Sequence, residues 1–171
     1  MSIMKIIKVP NPFLKITAKL VVDVNKNILT ILDDMLETMY HANGIGLAAT
    51  QISIDKRLIV MDCGKNNFDP KDTSEEEYNE KIKSKKLEPF PIKMINPEII
   101  SFGKNIEERE EGCLSIPGYN AKVKRPSSMK VSYIDENKKN VTLVANGLLA
   151  TCIQHEIDPV SYTHLTLPTT D

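Results

Sequence analysis

The chain has 171 residues, of which 41% are hydrophobic and 26% charged, the size and composition of one globular domain. Its 22 basic and 23 acidic residues leave a formal net charge of −1, which provides no global field for binding nucleic acid or an anionic membrane. Three cysteines are too few for a secreted disulfide framework, and no stretch approaches the roughly 20 apolar residues that span a bilayer. We see no signal peptide and expect a soluble cytoplasmic protein acting on small or neutral substrates.

The first periodic segment predicts an amphipathic helix over residues 25–43. Asn25 can cap its start, and Gly44 can supply the left-handed residue that ends it. His41, near the predicted end, is expected to interact with the helix dipole rather than to take part in chemistry. The apolar positions recur at steps of three and four residues, at Ile28, Ile31, Leu32, Met35 and Met39.

Two apolar, β-branched segments, residues 57–61 and 92–100, are predicted to be strands, the second interrupted by Asn96-Pro97. Cys63, directly after the first, is expected to be an ordinary buried or exposed thiol. Residues 64–91, which connect the two strands, are rich in Lys, Glu, Asp and Asn. Because such a composition cannot bury a core, it predicts a charged surface insertion.

The second half of the chain predicts a hairpin followed by a helix. Residues 129–135 and 140–145 alternate apolar and polar side chains around a turn-rich connection. A helix is then predicted over residues 147–158. Pro159 should stop this helix, because proline clashes with the preceding turn and biases the residue before it away from helical geometry.

Two short segments contain residue types that suit chemistry. Residues 44–51 read GIGLAATQ. Their small side chains let the backbone approach a ligand, and Gln51 can donate amide hydrogens to a developing negative charge. Alternatively, the two glycines simply make a tight turn. Residues 111–115 read EGCLS, where Cys113 is either a small buried apolar side chain or, as a thiolate, a ligand for zinc or iron.

A third segment, residues 154–158, reads QHEID at the end of the second predicted helix. In metallohydrolase helices of the His-Glu-x-x-His kind, two histidines four residues apart hold a metal and the glutamate acts as general base. Here His155 and Glu156 are present, but the second histidine position is Pro159, which has no ligand atom. His164 could fold back as a substitute, but no helical constraint would place it.

Together and in this order, the three segments resemble the peptide deformylase signatures GIGLAATQ, EGCLS and QHExDH. The first two match without substitution, whereas the third matches through Asp158 and fails at the final histidine. The resemblance covers about residues 5–158 apart from the charged insertion. It implies an α+β fold with mixed or antiparallel strands around a central metal-binding helix, and one catalytic domain over residues 1–158 with an insertion at 64–91.

The resemblance also implies a hydrolase that removes the formyl group from the N-terminal formylmethionine of newly made polypeptides. Cys113 and His155 would be metal ligands, with Fe²⁺ the typical metal and Zn²⁺, Ni²⁺ or Co²⁺ as alternatives. Glu156 would be the general base, while Gln51 and the backbone N–H of Leu114 would stabilise negative charge on the formyl oxygen. The residues that bind the substrate would be Gly46, Ile45, Leu148, Thr151 and Cys152.

The implied partners are N-formylmethionyl nascent peptides and, transiently, the ribosome, in a cytoplasm of bacterial or organellar origin, with no direct binding of nucleic acid or membrane. Residues 159–171 depart from the family and suggest a foreign tail, from a frameshift, a chimeric sequence or a cloning scar. Loss of the histidine ligand predicts weak metal binding and weak or absent activity. The alternatives are a peptidase, since zinc proteases share the His-Glu start, and a non-catalytic relic that binds formyl-peptide ends or the ribosome.

Overall fold

The computed structural model describes residues 2–64 and 89–161, and all strand pairs within these ranges are antiparallel. The predicted α+β fold is confirmed. The helices and strands are α1 (Lys26–His41), β1 (Gly46–Ala48), β2 (Leu58–Asp62), β3 (Pro91–Phe102), β4 (Ile106–Cys113), β5 (Ile116–Pro126), β6 (Ser128–Ile134), β7 (Asn140–Asn146) and α2 (Gly147–Ser161), with short 3-10 helices at Pro12–Lys15 and Ala49–Ile52.

Five strands form one sheet in the order β1-β2-β3-β6-β7, and β4 and β5 form a separate two-stranded ribbon. The sheet lies between the two helices, as the central strand β2 illustrates. Leu58 and Val60 pack in the core on the α1 side, whereas Ile59 and Met61 pack in the core on the α2 side. Because successive side chains of a strand point to opposite faces, a strand buried on both faces is a continuous apolar run.

Helix α1 confirms the helix predicted from the first periodic segment. The predicted N-cap is also confirmed, since the Asn25 side chain accepts a hydrogen bond from the Ile28 N–H at 3.0 Å. Its end differs from the prediction, because the left-handed residue is Asn43 (φ 58°) and not Gly44. The N–H of Asn43 bonds to the Tyr40 carbonyl and the N–H of Gly44 to the Met39 carbonyl, each at 3.0 Å. Asparagine tolerates the left-handed region, so it completes this two-bond cap.

Strand β3 continues through Asn96-Pro97, which forms a bulge rather than a break. Asn96 has a φ of 52°, and the pairing with β6 shifts register between Ile95 and Glu98. The Asn96 side chain accepts from the Val21 N–H at 2.8 Å and donates to the Val21 carbonyl at 2.9 Å. The bulge therefore attaches the N-terminal segment to the sheet.

The predicted hairpin is present as β6 and β7, but the ribbon of β4 and β5 was not predicted. Charged side chains occupy both of its faces, so it lacks the apolar alternation that marks a half-buried strand. Opposite charges face each other across the ribbon, with Glu108 paired to Lys124 and Glu110 to Lys122. Such cross-strand charge pairs stabilise a ribbon that has little apolar surface.

Helix α2 extends to Ser161, so the prediction that Pro159 ends it at residue 158 is wrong. Proline has a φ of about −65°, which suits a helix. It lacks a backbone N–H, so one hydrogen bond to the carbonyl one turn earlier is lost. Position 159 therefore lies on helical backbone, four residues after His155. Residues 162–171, which include His164 and most of the predicted foreign tail, lie outside the described residues.

Most of the predicted insertion also lies outside the described residues, but both of its ends meet at one side chain. Asp62 Oδ1 accepts hydrogen bonds from the N–H groups of Gly64 at 3.0 Å and Phe90 at 2.9 Å. The chain therefore leaves and re-enters the sheet at the same place. Among the residues that the structure describes, no helix is long and apolar enough to cross a membrane.

Candidate active site

A cleft of about 410 Å³ lies where β1, the connection between β4 and β5, and α2 meet. All of the predicted site residues except Gln51 line it: Ile45, Gly46, Cys113, Leu114, Leu148, Thr151, Cys152, His155 and Glu156. His41, by contrast, is the last residue of α1 and is not among the lining residues. Three segments separated in sequence thus converge on one concave surface.

A buried ion-pair network holds the imidazole of His155 in position. His155 Nδ1 lies 2.9 Å from Glu111 Oε1. Arg125 binds the same carboxylate through two bonds, Nε to Oε2 at 2.7 Å and Nη2 to Oε1 at 2.9 Å. Glu111 therefore fixes the orientation of the ring, as carboxylates do for histidines that bind metals.

Sequence reasoning did not assign roles to Glu111 and Arg125. Glu111 is the first residue of the EGCLS segment. Its position close to Cys113 in the sequence could have indicated that it belongs to the site. Arg125 lies near the end of β5, opposite Glu107 in the register of the ribbon, and its long side chain reaches along the ribbon to the Glu111 carboxylate.

The pKa values of Glu111 and His155 are shifted because both side chains are buried and have hydrogen-bond partners. Burial opposes ionisation of Glu111, but hydrogen bonds from His155 and Arg125 outweigh it and lower the pKa of the carboxyl group. Burial alone would also lower the pKa of His155. Hydrogen bonds with Cys113 and Glu111, and the charge of Glu156, raise that pKa to about 10 in the metal-free protein.

This raised pKa predicts how the stability of the metal-free protein depends on pH. A group whose pKa is higher in the folded state stabilises the fold fully below its ordinary value and loses this effect as pH rises through the folded value. For His155 the window runs from 6.5 to about 10. We expect the urea-unfolding free energy, measured with a chelator present, to fall across this window. In the His155→Gln variant, the unfolding free energy should fall less steeply with pH across this window. An unchanged pH dependence would contradict the assignment of this effect to His155.

Gln51 is only 2% exposed and is held by three hydrogen bonds. The Ala48 N–H donates to Oε1 at 2.9 Å, which orients the amide so that Nε2 donates to Cys113 Sγ at 3.5 Å and Ser115 Oγ at 3.2 Å. The Ser115 carbonyl in turn accepts from the Val9 N–H at 3.0 Å. The Gln51 amide nitrogen therefore lies beside both the Cys113 sulfur and the Ser115 hydroxyl group.

Glu156 projects from α2 towards β1 and is 4% exposed. The close approach depends on Gly46, because a Cβ atom there would lie 2.6 Å from Glu156 Oε2 and 2.9 Å from Cys152 Sγ. Cys152 also donates to the Ile45 carbonyl at 3.6 Å. The contact with Cys63, followed by burial, raises the pKa of the Cys152 thiol, so this group stays protonated near neutral pH.

We expect Gly46→Ala to destabilise the protein by about 1–3 kcal/mol, the usual cost of overpacking a buried contact. The matched control is Gly44→Ala, whose Cβ would meet only the flexible end of the Leu114 side chain, at 2.7 Å. Thermal unfolding followed by circular dichroism measures both. Equal losses of stability in the two variants would show that the contact with Glu156 is not the cause of the destabilisation.

The cleft thus brings together a thiol, an imidazole held by a carboxylate and a second buried carboxylate, groups that hydrolases use. The family model described as polypeptide deformylase matches residues 3–163. The peptide deformylase of Agrobacterium fabrum is 44% identical over 158 residues, which cover 92% of this chain and 82% of that protein. The crystal structure of the Ehrlichia chaffeensis peptide deformylase matches with a TM-score of 0.80 and 36% identity, covering 95% of this chain and 85% of that one.

The Thermotoga maritima peptide deformylase structure matches with a TM-score of 0.78 and 31% identity, and covers 94% of this chain and 93% of that one. The chain belongs to the polypeptide deformylase family, whose members are metal-dependent hydrolases of protein biosynthesis. The likeness extends over nearly the whole chain, and the sequence-based prediction of the family is confirmed.

Within the part of the chain that the structure describes, the side chains at the cleft do not supply a full set of metal ligands. Catalytic metal sites of this kind use three protein ligands and leave one position for water. Cys113 and His155 supply two donors at the cleft. No group of three or more His, Cys, Asp or Glu side chains that could hold a metal occurs in residues 2–64 and 89–157, and the residue at 159 is proline.

Proposed function

We propose that this chain has the substrate cleft of a peptide deformylase but binds the catalytic metal weakly, so that it removes the formyl group of N-terminal formylmethionine slowly or not at all. One observation supports both parts of the proposal. The cleft contains the cysteine, histidine and glutamate of the family signatures, while the helix position one turn after His155 is Pro159. The metal that the family resemblance implies is Fe²⁺, with Zn²⁺, Ni²⁺ or Co²⁺ as alternatives.

In the proposed reaction the protein groups have separate tasks. Glu156 accepts the proton of the attacking water and later gives it to the departing amine. The formyl oxygen becomes negative as water attacks, and the Gln51 amide and the Leu114 N–H donate hydrogen bonds to it. Gln51 suits this task because its orientation is fixed by the Ala48 N–H. Removing one such donor costs about 10²–10³ in rate in related acyl chemistry.

The methionine side chain of the substrate would occupy the apolar part of the cleft. Ile45, Leu148, Thr151 and Cys152 line this part, and Gly46 allows the backbone of β1 to approach. A small acyl group such as formyl fits where Gly46 and Glu156 leave little space. The partners are therefore N-formylmethionyl nascent peptides as they leave the ribosome, in a cytoplasm of bacterial or organellar origin.

Anaerobic loading with Fe²⁺, followed by metal analysis, tests the proposal together with a turnover assay on a short formyl-methionyl peptide. We expect well under one equivalent of metal after buffer exchange, and a rate more than about 100-fold below that of the Agrobacterium fabrum relative assayed in parallel. Stoichiometric iron with comparable turnover would overturn the proposed impairment. Formyl-peptide binding by calorimetry with no turnover at any metal concentration would instead favour a non-catalytic binder.

A further inference from the structure

The side chain of Asp62, the last residue of β2, accepts three hydrogen bonds. Its Oδ2 atom accepts from the hydroxyl group of Tyr40, in the last turn of α1, at 2.5 Å. Its Oδ1 atom accepts from the N–H groups of Gly64 at 3.0 Å and Phe90 at 2.9 Å. Hydrogen bonds to a carboxylate are roughly twice as strong as those between neutral groups. Asp62 therefore holds the end of α1 against the end of β2.

The backbone of the same residue is bonded to the wall of the cleft. The Asp62 N–H donates to the Ile45 carbonyl at 2.9 Å. The Cys152 thiol also donates to this carbonyl, at 3.6 Å, but a thiol is a weaker donor than a backbone N–H. Ile45 lines the cleft and is 42% exposed, so packing of its side chain does little to fix it. The bond from Asp62 is therefore a main restraint on the position of Ile45.

Asp62 thus holds both ends of the connection between α1 and β1, which is residues 42–45. The side chain of Asp62 bonds to Tyr40 just before this connection, and its N–H bonds to Ile45 at the end of it. Asn43 and Gly44, which lie between, also line the cleft. A single residue on β2 therefore fixes a segment that forms part of the cleft wall.

We propose that Tyr40 and Asp62 are positioning residues, which hold the connection 42–45 in the shape that receives the methionyl end of the substrate. The role in substrate binding rests on the proposed function, whereas the restraint on the connection does not. Neither Tyr40 nor Asp62 is among the residues that line the cleft. Both therefore act through the connection. When only a fraction of the protein has the shape that binds, the apparent affinity falls by that fraction.

Hydrogen exchange of the ¹⁵N-labelled protein, followed by NMR, tests the restraint on the connection. The Tyr40→Phe substitution removes one hydroxyl group and its bond to Asp62. We expect the amides of Asn43, Gly44 and Asp62 to exchange about 10-fold faster, because exchange reports local opening. Amides in the centre of β2 should keep their wild-type rates. The matched control is Tyr133→Phe, the same chemical change on β6, which should leave all of these rates unchanged.

Titration of the same samples with a short formyl-methionyl peptide tests the role in substrate binding. Tyr40→Phe should raise the Kd by about 5–10-fold, and Tyr133→Phe should not change it. Asp62→Asn is the conservative variant, since its amide group can still accept from Gly64 and Phe90 and can donate to the Tyr40 oxygen. It should keep most of the wild-type affinity. Asp62→Leu has no such groups and should bind at least as weakly as Tyr40→Phe.

Each measurement is made at a temperature where the variant is fully folded, so a loss of stability alone changes neither result. Wild-type exchange rates at Asn43, Gly44 and Asp62 in the Tyr40→Phe protein would overturn the proposal. Faster exchange with unchanged peptide affinity would overturn the role in binding. If the wild-type protein did not bind the peptide, the proposed function and the role in binding would both fail. The exchange rates would then still decide whether the two residues hold the connection.

Discussion

Replacing Pro159 by histidine should raise bound metal from a trace to nearly one equivalent and increase deformylation of a formyl-methionyl peptide by more than about 100-fold. Helix α2 extends to Ser161, so residue 159 already lies on helical backbone. Residues four apart lie on the same face of a helix, and a histidine there would join His155 and Cys113 as the third ligand. Metal analysis after Fe²⁺ loading and a steady-state assay measure the two effects.

The matched control is Pro159→Ala, which restores the backbone N–H but adds no ligand. We expect this variant to gain stability without gaining metal or activity. If it gained as much metal as Pro159→His, the proline would act by distorting the helix and not by lacking a ligand. If neither variant bound metal, the absence of a ligand atom at position 159 would not be the cause of the weak metal binding.

Replacing Glu111 by glutamine should destabilise the protein by about 3–5 kcal/mol, the usual cost of breaking a buried ion pair from one side. The side chains of Glu111 and Arg125 are 7% and 11% exposed and share two hydrogen bonds. The carboxylate also holds His155 Nδ1 at 2.9 Å. For a chain of this length the thermal midpoint should fall by roughly 10 °C. Metal affinity of the Pro159→His protein should also fall, by roughly 10–100-fold.

An exposed ion pair provides the control. Lys19 and Asp55 lie 3.7 Å apart with side chains 81% and 33% exposed, so Lys19→Ala should change stability by less than about 1 kcal/mol. The pH dependence has a definite sign. Because the fold lowers the pKa of Glu111, the difference between wild type and Glu111→Gln should be complete at neutral pH. It should shrink once the pH falls below the ordinary carboxyl value and vanish below the lowered one.

Periodicity predicted the elements that bury apolar side chains. Helix α1, the strands β2 and β3 and the β6–β7 hairpin all have an apolar face or an apolar run, and the structure confirms them. The β4–β5 ribbon escaped prediction because charged residues face each other across its strands, and a search for apolar alternation does not detect such strands. The end of α2 was misplaced because proline was treated as a stop, although its φ suits a helix.

By itself the sequence determined the family and the types of group in the site, because three short motifs and their order are local properties. It also determined that position 159 has no ligand atom. Only the tertiary structure decided that Glu111 and Arg125 hold His155. These residues lie apart along the chain, and the position of the β4–β5 ribbon beside α2 brings their side chains together. The structure also places residue 159 on the backbone of α2, one turn beyond His155.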